Sequence, residues 1–259
     1  MTTQDLFSIK GKTACVTGGS RGIGLMIARG FVEAGAKVYI SSRKKEQCDA
    51  TAAELSKTGE CISVPADLSG LEGIGHLVDA VQQKESELHI LVNNAGAAWG
   101  EPIETYPESG WDKTMDTNVK AIFFLTREML PLLRKGAAEE DPARVINISS
   151  IEAFKVPAWE NYAYSASKAA VIQLTRHMAR RLADDRITVN AIAPGLFPSR
   201  MTKFVFDNEG TVEAFKNTVP MGREGRADDI AGPAIFLASK AANYMTGSFV
   251  TVDGGALVS

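Results

Sequence analysis

Cysteine is scarce in this chain of 259 residues, and its three cysteines are widely separated. Cys15, Cys48 and Cys61 form no Cys-x-x-Cys pair, and the three histidines also lie far apart in the sequence. Metal sites in proteins need closely spaced Cys or His ligands, so we expect no bound metal. An odd number of cysteines, with no export signal at the N-terminus, favours reduced thiols and a cytoplasmic protein.

Long apolar runs and an excess of positive charge are also missing. No apolar run reaches the ~18 residues that cross a bilayer, and the formal net charge at pH 7 is -3. These absences argue against a membrane protein and against a surface that binds nucleic acid. With 45% hydrophobic and 23% charged residues, the composition is that of an ordinary globular protein.

What the chain does contain is a regular alternation of predicted strands and helices. Residues 12–17 read as a buried strand, which leads through a glycine-rich turn and a helix to a second strand at 37–42. The alternation continues to a last strand at 249–252, with no linker or repeat. It predicts an α/β fold: one doubly wound, Rossmann-type parallel sheet of about seven strands with helices on both faces. We expect residues 1–259 to form a single domain.

Three glycines follow the first strand, Gly18, Gly22 and Gly24, in the spacing Gly-x-x-x-Gly-x-Gly. Between a strand and a helix, glycines allow a tight turn and let the backbone approach a pyrophosphate at the helix N-terminus. Ligands of doubly wound sheets bind outside the carboxyl ends of the strands. Asp67 and Asn94 follow the third and fourth predicted strands and are expected at the same edge. The pattern predicts a dinucleotide site.

Tyr164 and Lys168 are four residues apart in a predicted helix, so they share one helix face. A free phenol has a pKa near ~10, and a cation close by lowers that pKa. Two unit charges ~4 Å apart at an effective dielectric of ~20 interact by about 4 kcal/mol, or roughly 3 pKa units. The lysine could thus bring the phenol close to neutrality and make it an acid/base catalyst. The same spacing also fits a surface pair with no function.

Six motifs, in this order, resemble those of the short-chain dehydrogenase/reductases and span nearly the whole chain. They are Thr17-Gly18-x-x-x-Gly22-x-Gly24, Asn93-Asn94-Ala95-Gly96, Asn118-Val119, Ser150, Tyr164-x-x-x-Lys168 and Pro194-Gly195. Within the family, the chain is most similar to members of the 3-oxoacyl-[acyl-carrier-protein] reductase type. The resemblance implies an enzyme that transfers a hydride between a nicotinamide cofactor and a ketone carbonyl.

The resemblance also implies a role for each catalytic candidate. Tyr164 would be the general acid, and Lys168 would lower its pKa and bind the nicotinamide ribose. Ser150 would hold the substrate oxygen, while Asn118 would hold a water molecule in a proton relay. Ser149 is adjacent, but its side chain points to the opposite face of the strand. Ser150, fourteen residues before Tyr164, matches the family's serine more closely.

Positive charge after the second strand predicts NADP(H) as the cofactor. Ser42 stands where an acidic residue would bind the 2′-hydroxyl of NAD, and Arg43 and Lys44 follow it. Arg21, in the glycine turn, adds a cation, and arginine suits bidentate binding of phosphate. Cations at a helix start oppose the helix dipole unless an anion is present. The alternative is that Arg43 and Lys44 are merely exposed charges.

The resemblance assigns the rest of the cofactor site to residues at the same edge of the sheet. Besides Tyr164 and Lys168, they are Ser20, Ile23, Ala66, Asp67, Leu68, Asn94, Ala95, Gly96, Pro194, Gly195 and Ser199.

Substrate contacts are expected from the loop 151–161 and from an insertion at 196–221, which we interpret as a lid. Ser150 and Tyr164 would touch the substrate, and Trp159 and Phe197 are further candidates. Other apolar residues of the two segments are Phe154, Val156, Met201, Phe204, Val205 and Phe206. Their apolar character favours an acyl chain or another lipophilic carbonyl over a sugar. Arg200 and Lys203 could meet an acidic carrier protein or a phosphate of coenzyme A.

The leading hypothesis is an NADPH-dependent reductase of a 3-oxoacyl thioester, linked to a carrier protein or to coenzyme A, or of a related ketone. One alternative is a polyol, sugar or secondary-alcohol dehydrogenase. Another is a non-catalytic, NADP-binding regulatory protein. The resemblance further implies a homotetramer or homodimer that assembles through the long helices after strands four and five, with Trp111, Met115, Phe124, Ile172 and Met178 as possible contacts.

Overall fold

Seven parallel strands form one sheet in the order β3-β2-β1-β4-β5-β6-β7. The computed structural model describes residues 2–157, 159–202, 207, 210, 213 and 218–259. The strands are β1 (Thr13–Thr17), β2 (Lys37–Ser41), β3 (Cys61–Ser63), β4 (Ile90–Asn93), β5 (Ala143–Ile148), β6 (Ile187–Pro194) and β7 (Phe249–Val252). This confirms the predicted Rossmann-type sheet. The strand order reverses between β1 and β4, and such a switch point leaves a crevice at the carboxyl ends of the strands.

Helices connect consecutive strands and cover both faces of the sheet. They are α1 (Thr3–Phe7), α2 (Gly22–Glu33), α3 (Lys45–Leu55), α4 (Leu71–Gln82), α5 (Glu108–Met115), α6 (Ala121–Gly136), α7 (Tyr162–Leu182) and a further helix, Ala227–Ala238. Between β4 and β5, a π-helical turn at Asp116–Lys120 joins α5 to α6.

The core lies in two layers because successive strand residues point to opposite faces. On β1, Ala14 and Val16 pack in the cluster beneath α2, whereas Cys15 packs in the cluster on the other face. Both faces are covered, so the central strands are buried along their whole length. The three cysteines are free and buried, and burial raises the pKa of the Cys15 thiol to about 12.

Two features are absent from the described part of the chain. None of its helices is long and apolar enough to cross a bilayer. It also contains no group of three His, Cys, Asp or Glu side chains that could hold a metal ion. Of the predicted lid residues, Lys203, Phe204, Val205 and Phe206 lie outside the described residues.

Candidate active site

A groove follows the carboxyl edge of the sheet across the switch point. It consists of two adjoining cavities of about 280 and 410 Å³, which share the residues Gly18, Arg21, Arg43, Ala95, Gly96 and Arg200. Every residue predicted to bind the cofactor lines one of these cavities or both. Ser150, Tyr164 and Lys168 line the larger one. The structure therefore brings together residues that are up to 184 positions apart in the sequence, from Gly18 to Thr202.

The glycine turn allows the first turn of α2 to approach the end of β1 closely. Gly18 and Gly22 have φ angles of 66° and 53°, in the left-handed region that favours glycine. A Cβ on Gly24 would lie 2.3 Å from the carbonyl oxygen of Gly18 and 2.4 Å from Nδ2 of Asn94. No side chain fits there, so the close approach of α2 to the end of β1 requires glycine at position 24.

Thr17 ties the two strands at the switch point together. Its Oγ1 accepts hydrogen bonds from the backbone N–H groups of Asn94 and Ala95, both at 2.9 Å. In return, Nδ2 of Asn94 donates to the carbonyl oxygen of Thr17 at 2.8 Å. Sequence reasoning included Thr17 in a motif without a role. In the structure it holds the loop after β4 against the glycine turn.

The carboxyl end of β5 lies against the first turns of α7, and this brings Ser150 close to Tyr164 and Lys168. Nζ of Lys168 donates to the carbonyl oxygen of Ile148 at 2.8 Å and lies 5.4 Å from the centre of the Tyr164 ring. The hydroxyl of Ser149 donates to the Lys168 carbonyl oxygen at 2.8 Å, so this neighbour of Ser150 anchors α7 to the sheet. The assignment of the substrate-binding role to Ser150 stays a prediction.

Burial controls the protonation of this pair. Burial, and secondly the charge of Glu152, raise the pKa of Tyr164 well above its usual range, while the Ser150 hydroxyl lowers it. Burial also lowers the pKa of Lys168 to about 8. Burial is thus the largest influence on the pKa of Tyr164, and it acts against the lowering that the spacing of Tyr164 and Lys168 predicts. Tyr164 keeps its proton at neutral pH, as a general acid must before it reacts.

Asn118 lies behind the cavity wall rather than in it. Its Oδ1 accepts from the Ala97 N–H at 2.7 Å, and its Nδ2 donates to the Ala97 carbonyl oxygen at 2.9 Å and to Oγ of Ser167 at 2.8 Å. Ser167 in turn donates to the carbonyl oxygen of Tyr164 at 2.7 Å. The side chain thus connects the loop after β4 to the catalytic helix. Its predicted part in a proton relay stays a prediction.

Three arginines converge on the groove from three separate segments. Arg21 comes from the glycine turn, Arg43 follows β2, and Arg200 follows β6. Burial lowers the pKa of Arg21, and repulsion from Arg200 and Arg43 lowers it further. Within the described residues none of the three forms an ion pair. Arg200 lines both cavities, and its predicted contact with a carrier protein or a coenzyme A phosphate stays a prediction.

The position of Ser199 explains why Arg200 reaches the groove. A Cβ on Gly22 would lie 3.2 Å from Cβ of Ser199, so the segment after β6 packs directly over the glycine turn. Nothing in the sequence indicates this contact between segments that are far apart. The one indication in the sequence that Arg200 lies at the groove is that it directly follows Ser199, a residue already assigned to the cofactor site.

The groove fits a phosphorylated dinucleotide. The glycine turn forms a cradle of closely packed backbone in which a Cβ on Gly18 or Gly24 would clash, and within the described residues the arginines beside it form no ion pair. The hydroxyl of Ser42 is buried, with no hydrogen-bond partner in the described part of the chain. Arg43 and Ser42 line the smaller cavity together with Ala66, Asp67 and Leu68. These residues could hold an adenosine that carries a 2′-phosphate.

The two aromatic substrate candidates outside the catalytic group occupy different environments. Phe197 is only 2% exposed, and a Cβ on Gly225 would lie 2.3 Å from its ring. Its ring therefore belongs mainly to the core, although the residue forms part of the cavity wall. Trp159 lies on the loop before α7 and lines neither cavity. Its Nε1 donates to Oε1 of Glu152 at 3.2 Å. Substrate contact by either residue stays a prediction.

Known proteins resemble the chain over nearly its whole length. A family model described as enoyl-(acyl carrier protein) reductase matches residues 18–256. The chain is 49% identical to the rhamnolipids biosynthesis 3-oxoacyl-[acyl-carrier-protein] reductase of Pseudomonas aeruginosa, over 96% of this chain and 97% of that protein. It is 38% identical to the short-chain dehydrogenase/reductase PhomF of Diaporthe leptostromiformis, over 98% of this chain and 94% of that protein. It is 35% identical to gluconate 5-dehydrogenase of Gluconobacter oxydans, over 100% of both chains.

Solved structures show the same architecture. The Pseudomonas aeruginosa RhlG/NADP active-site complex superposes with a TM-score of 0.95 at 48% identity, over 98% of this chain and 99% of that one. A gluconate 5-dehydrogenase from Burkholderia cenocepacia, in complex with NADP and tartrate, has a TM-score of 0.92 at 28% identity over 100% of both chains.

Proposed function

The chain belongs to the short-chain dehydrogenase/reductase family and is an oxidoreductase; on that basis we propose that it uses NADPH to reduce a ketone, namely a 3-oxoacyl thioester or a related lipophilic ketone. The observation that carries this proposal is the meeting of Ser150, Tyr164 and Lys168 in one cavity that continues into an arginine-lined groove. The relative named as a 3-oxoacyl-[acyl-carrier-protein] reductase supports the substrate class.

Each catalytic side chain has a task in the proposed reduction. When bound, NADPH supplies a hydride to the carbonyl carbon. Tyr164 donates its phenolic proton to the carbonyl oxygen, which becomes the alcohol. Ser150 donates a hydrogen bond to that oxygen, and this bond strengthens as negative charge develops. Lys168, with a pKa of about 8, is mostly protonated at neutral pH, and its charge favours the phenolate that remains. We propose that Asn118 positions the Lys168 proton relay.

The cofactor would be held by the cradle and the cations already described. The backbone of Gly18–Gly24 suits a pyrophosphate at the start of α2, and Asp67 suits the adenine amino group. Arg21, Arg43 and the hydroxyl of Ser42 suit a 2′-phosphate. The NADP complexes among the structural relatives support this choice of cofactor.

Replacing Arg200 by alanine should weaken NADPH binding by roughly tenfold, because one charge-assisted hydrogen bond contributes ~1.5 kcal/mol. The dissociation constant from a fluorescence titration with NADPH measures this loss directly, with no substrate present. Arg181→Ala, at the exposed end of α7, is the matched control and should leave binding unchanged. A dissociation constant for Arg200→Ala within twofold of the wild type would show that Arg200 does not touch the cofactor.

A carbonyl panel tests the proposed function. NADPH oxidation would be followed by absorbance with 3-oxoacyl thioesters of coenzyme A and of a carrier protein, with simple ketones, and with keto-gluconates. We expect the highest kcat/KM with a 3-oxoacyl thioester. Preference for a keto-gluconate would favour a sugar dehydrogenase, a second candidate that the gluconate 5-dehydrogenase relative supports. NADPH binding without turnover of any carbonyl would indicate the non-catalytic regulatory protein.

We also propose that residues 1–259 act as one domain, in which residues 196–221 form the lid. We further propose that the chain forms a homotetramer or homodimer and that it works in the cytoplasm. The free, buried cysteines are compatible with a reducing compartment. Of the predicted interface residues, Trp111 is 43% exposed and is available to a partner, whereas Ile172 and Met178 are buried within the chain. Light scattering of the purified protein would give the number of subunits.

A further inference from the structure

Glu152 is a partly buried carboxylate near the catalytic residues that the proposed reaction does not use. It accepts three hydrogen bonds from side chains. Trp159 Nε1 donates to Oε1 at 3.2 Å, and Asn161 Nδ2 donates to Oε2 at 2.7 Å. The third comes from Oγ of Ser165, whose one proton is shared between Oε2 at 3.3 Å and Oδ1 of Asn161 at 3.2 Å. These donors lie at the end of the loop 151–161 and in the first turn of α7.

The backbone of Glu152 is attached to Ser150. Its N–H donates to Oγ of Ser150 at 3.2 Å, and Ser150 thereby caps the short turn Ile151–Ala153. Because the serine oxygen already accepts this bond, its own proton is free to point toward another acceptor. Glu152 therefore contacts the serine through its backbone and the start of the tyrosine helix through its carboxylate.

Asn161 shows that this arrangement takes precedence over ordinary helix capping. It is the N-cap residue of α7, yet its side chain makes no capping hydrogen bond. Instead it donates to Glu152, and its Oδ1 accepts from Oγ of Ser165 at 3.2 Å. A carboxylate close to a helix N-terminus also interacts favourably with the helix dipole. The start of α7 is thus organised around the Glu152 carboxylate.

The charge of Glu152 acts on both catalytic groups of α7. It raises the pKa of Tyr164 and opposes the effect of burial on the pKa of Lys168. Burial raises the pKa of Glu152 itself, while its three side-chain hydrogen bonds and the charge of Lys168 lower it. Lys155, on the same loop, donates instead to the carbonyl oxygen of Ala256 at 2.9 Å. The carboxylate therefore has the two catalytic side chains as its titratable neighbours.

A neutral amide side chain could also hydrogen-bond the loop to α7. Its burial would cost less free energy than the burial of a carboxylate. Trp159 and Asn161 reach Glu152 through N–H groups that can only donate, so a carboxylate satisfies both, whereas an amide would turn its own donors toward one of them. The negative charge is consequently an integral part of the contact and not a by-product of it.

We propose that Glu152 is a positioning residue of this reductase: its carboxylate fastens the Ser150 turn to the first turn of α7 and places a fixed negative charge beside Tyr164 and Lys168. The proposal rests on the function proposed above. The charge keeps the proton on Tyr164 until the substrate oxygen takes it, and the hydrogen bonds keep the serine and tyrosine hydroxyls on the same side of the cavity.

Glu152→Gln tests the proposal through the pH profile. Removing the negative charge should lower the pKa of Tyr164, so the limb of the kcat profile on which Tyr164 titrates should move to lower pH by about one unit. The kcat should also fall by roughly tenfold, because the hydroxyls lose part of their orientation. A purely structural residue would lower kcat or stability without moving the profile.

Two variants serve as comparisons. Glu152→Asp keeps the charge and should keep the wild-type pH profile while losing part of kcat. Glu160→Gln makes the same neutralisation on an exposed glutamate of the same loop and should change neither quantity. An unchanged or alkaline-shifted profile in Glu152→Gln would overturn the proposal, even if kcat fell.

A substrate-free measurement separates this proposal from the proposed function. The difference in tyrosinate absorbance between a protein that has Tyr164 and the same protein carrying Tyr164→Phe reports the titration of Tyr164 alone. This titration should occur at lower pH in the Glu152→Gln background than in the wild-type background, whichever carbonyl is the substrate. Coincident titrations in the two backgrounds would refute the role of Glu152. Failure of every 3-oxoacyl thioester as a substrate would leave this readout intact and would refute only the proposed function.

Discussion

Tyr164→Phe is expected to lower kcat for ketone reduction by about a thousandfold, within the range that general acid catalysis contributes. The substitution removes one oxygen atom and retains the ring over which Nζ of Lys168 lies. The hydride acceptor then has no acid to protonate its oxygen, because Ser150 can stabilise the developing charge but cannot neutralise it. NADPH binding should be nearly unchanged, since the phosphates interact with the opposite part of the groove.

Steady-state kinetics with the best substrate of the carbonyl panel, combined with a fluorescence titration of NADPH, checks this result. Tyr162→Phe is the matched control. Its hydroxyl donates to Glu160, its ring packs edge-on against Tyr106 with the centroids 5.8 Å apart, and it lines neither cavity. We expect it to retain the wild-type kcat. If Tyr164→Phe kept a tenth or more of the wild-type kcat, Tyr164 would not be the proton donor.

Arg43→Asp is expected to reverse the preference between the two nicotinamide cofactors, with a loss of about a hundredfold in kcat/KM for NADPH. Hydrogen bonds to a charged group contribute ~1.5–3 kcal/mol, and the new carboxylate adds repulsion of the 2′-phosphate. The same carboxylate can accept a hydrogen bond from the 2′-hydroxyl of NADH, as an acidic residue does at this position of dinucleotide-binding folds. Use of NADH should therefore improve while use of NADPH declines.

The ratio of kcat/KM for NADPH to that for NADH measures this preference. Lys45→Asp provides the control, because Lys45 lies two residues away, pairs with Asp49 at 2.5 Å and does not line the groove. It makes the same change in net charge and should alter the ratio by less than threefold, since an exposed charge at this distance is screened by salt. An unaltered ratio in Arg43→Asp would refute the assignment of NADP(H) to this cluster of cations.

Comparing Arg43 with Arg200 shows how far sequence reasoning reached. Arg43 follows a predicted strand at a fixed distance from the glycine turn, so its place at the sheet edge followed from the βαβ pattern alone. Arg200 belongs to an irregular segment after β6, which has no periodicity to indicate its direction. Its position depends on the contact of Ser199 with Gly22, and such a contact between distant segments leaves no mark on local sequence.

The sequence does not indicate a role for Glu152, for a related reason. A single glutamate two residues after a serine is an ordinary loop residue in the sequence. Its significance comes from three donors that the fold brings to its carboxylate, and from its burial beside α7. Burial also changed the expectation for Tyr164, since desolvation raises the pKa that the spacing of Tyr164 and Lys168 alone would lower.

The sequence by itself determined the parallel sheet, the glycine turn and the edge at which Ser150, Tyr164 and Lys168 would meet. Those features depend on local signals, namely apolar periodicity, turn residues and the regular alternation of strand and helix, and each of these can be read within a few residues. Only the tertiary structure decided which charges face each other across the groove and which protons are held there. Those properties depend on contacts between distant segments and on desolvation, and both arise only when the chain is packed.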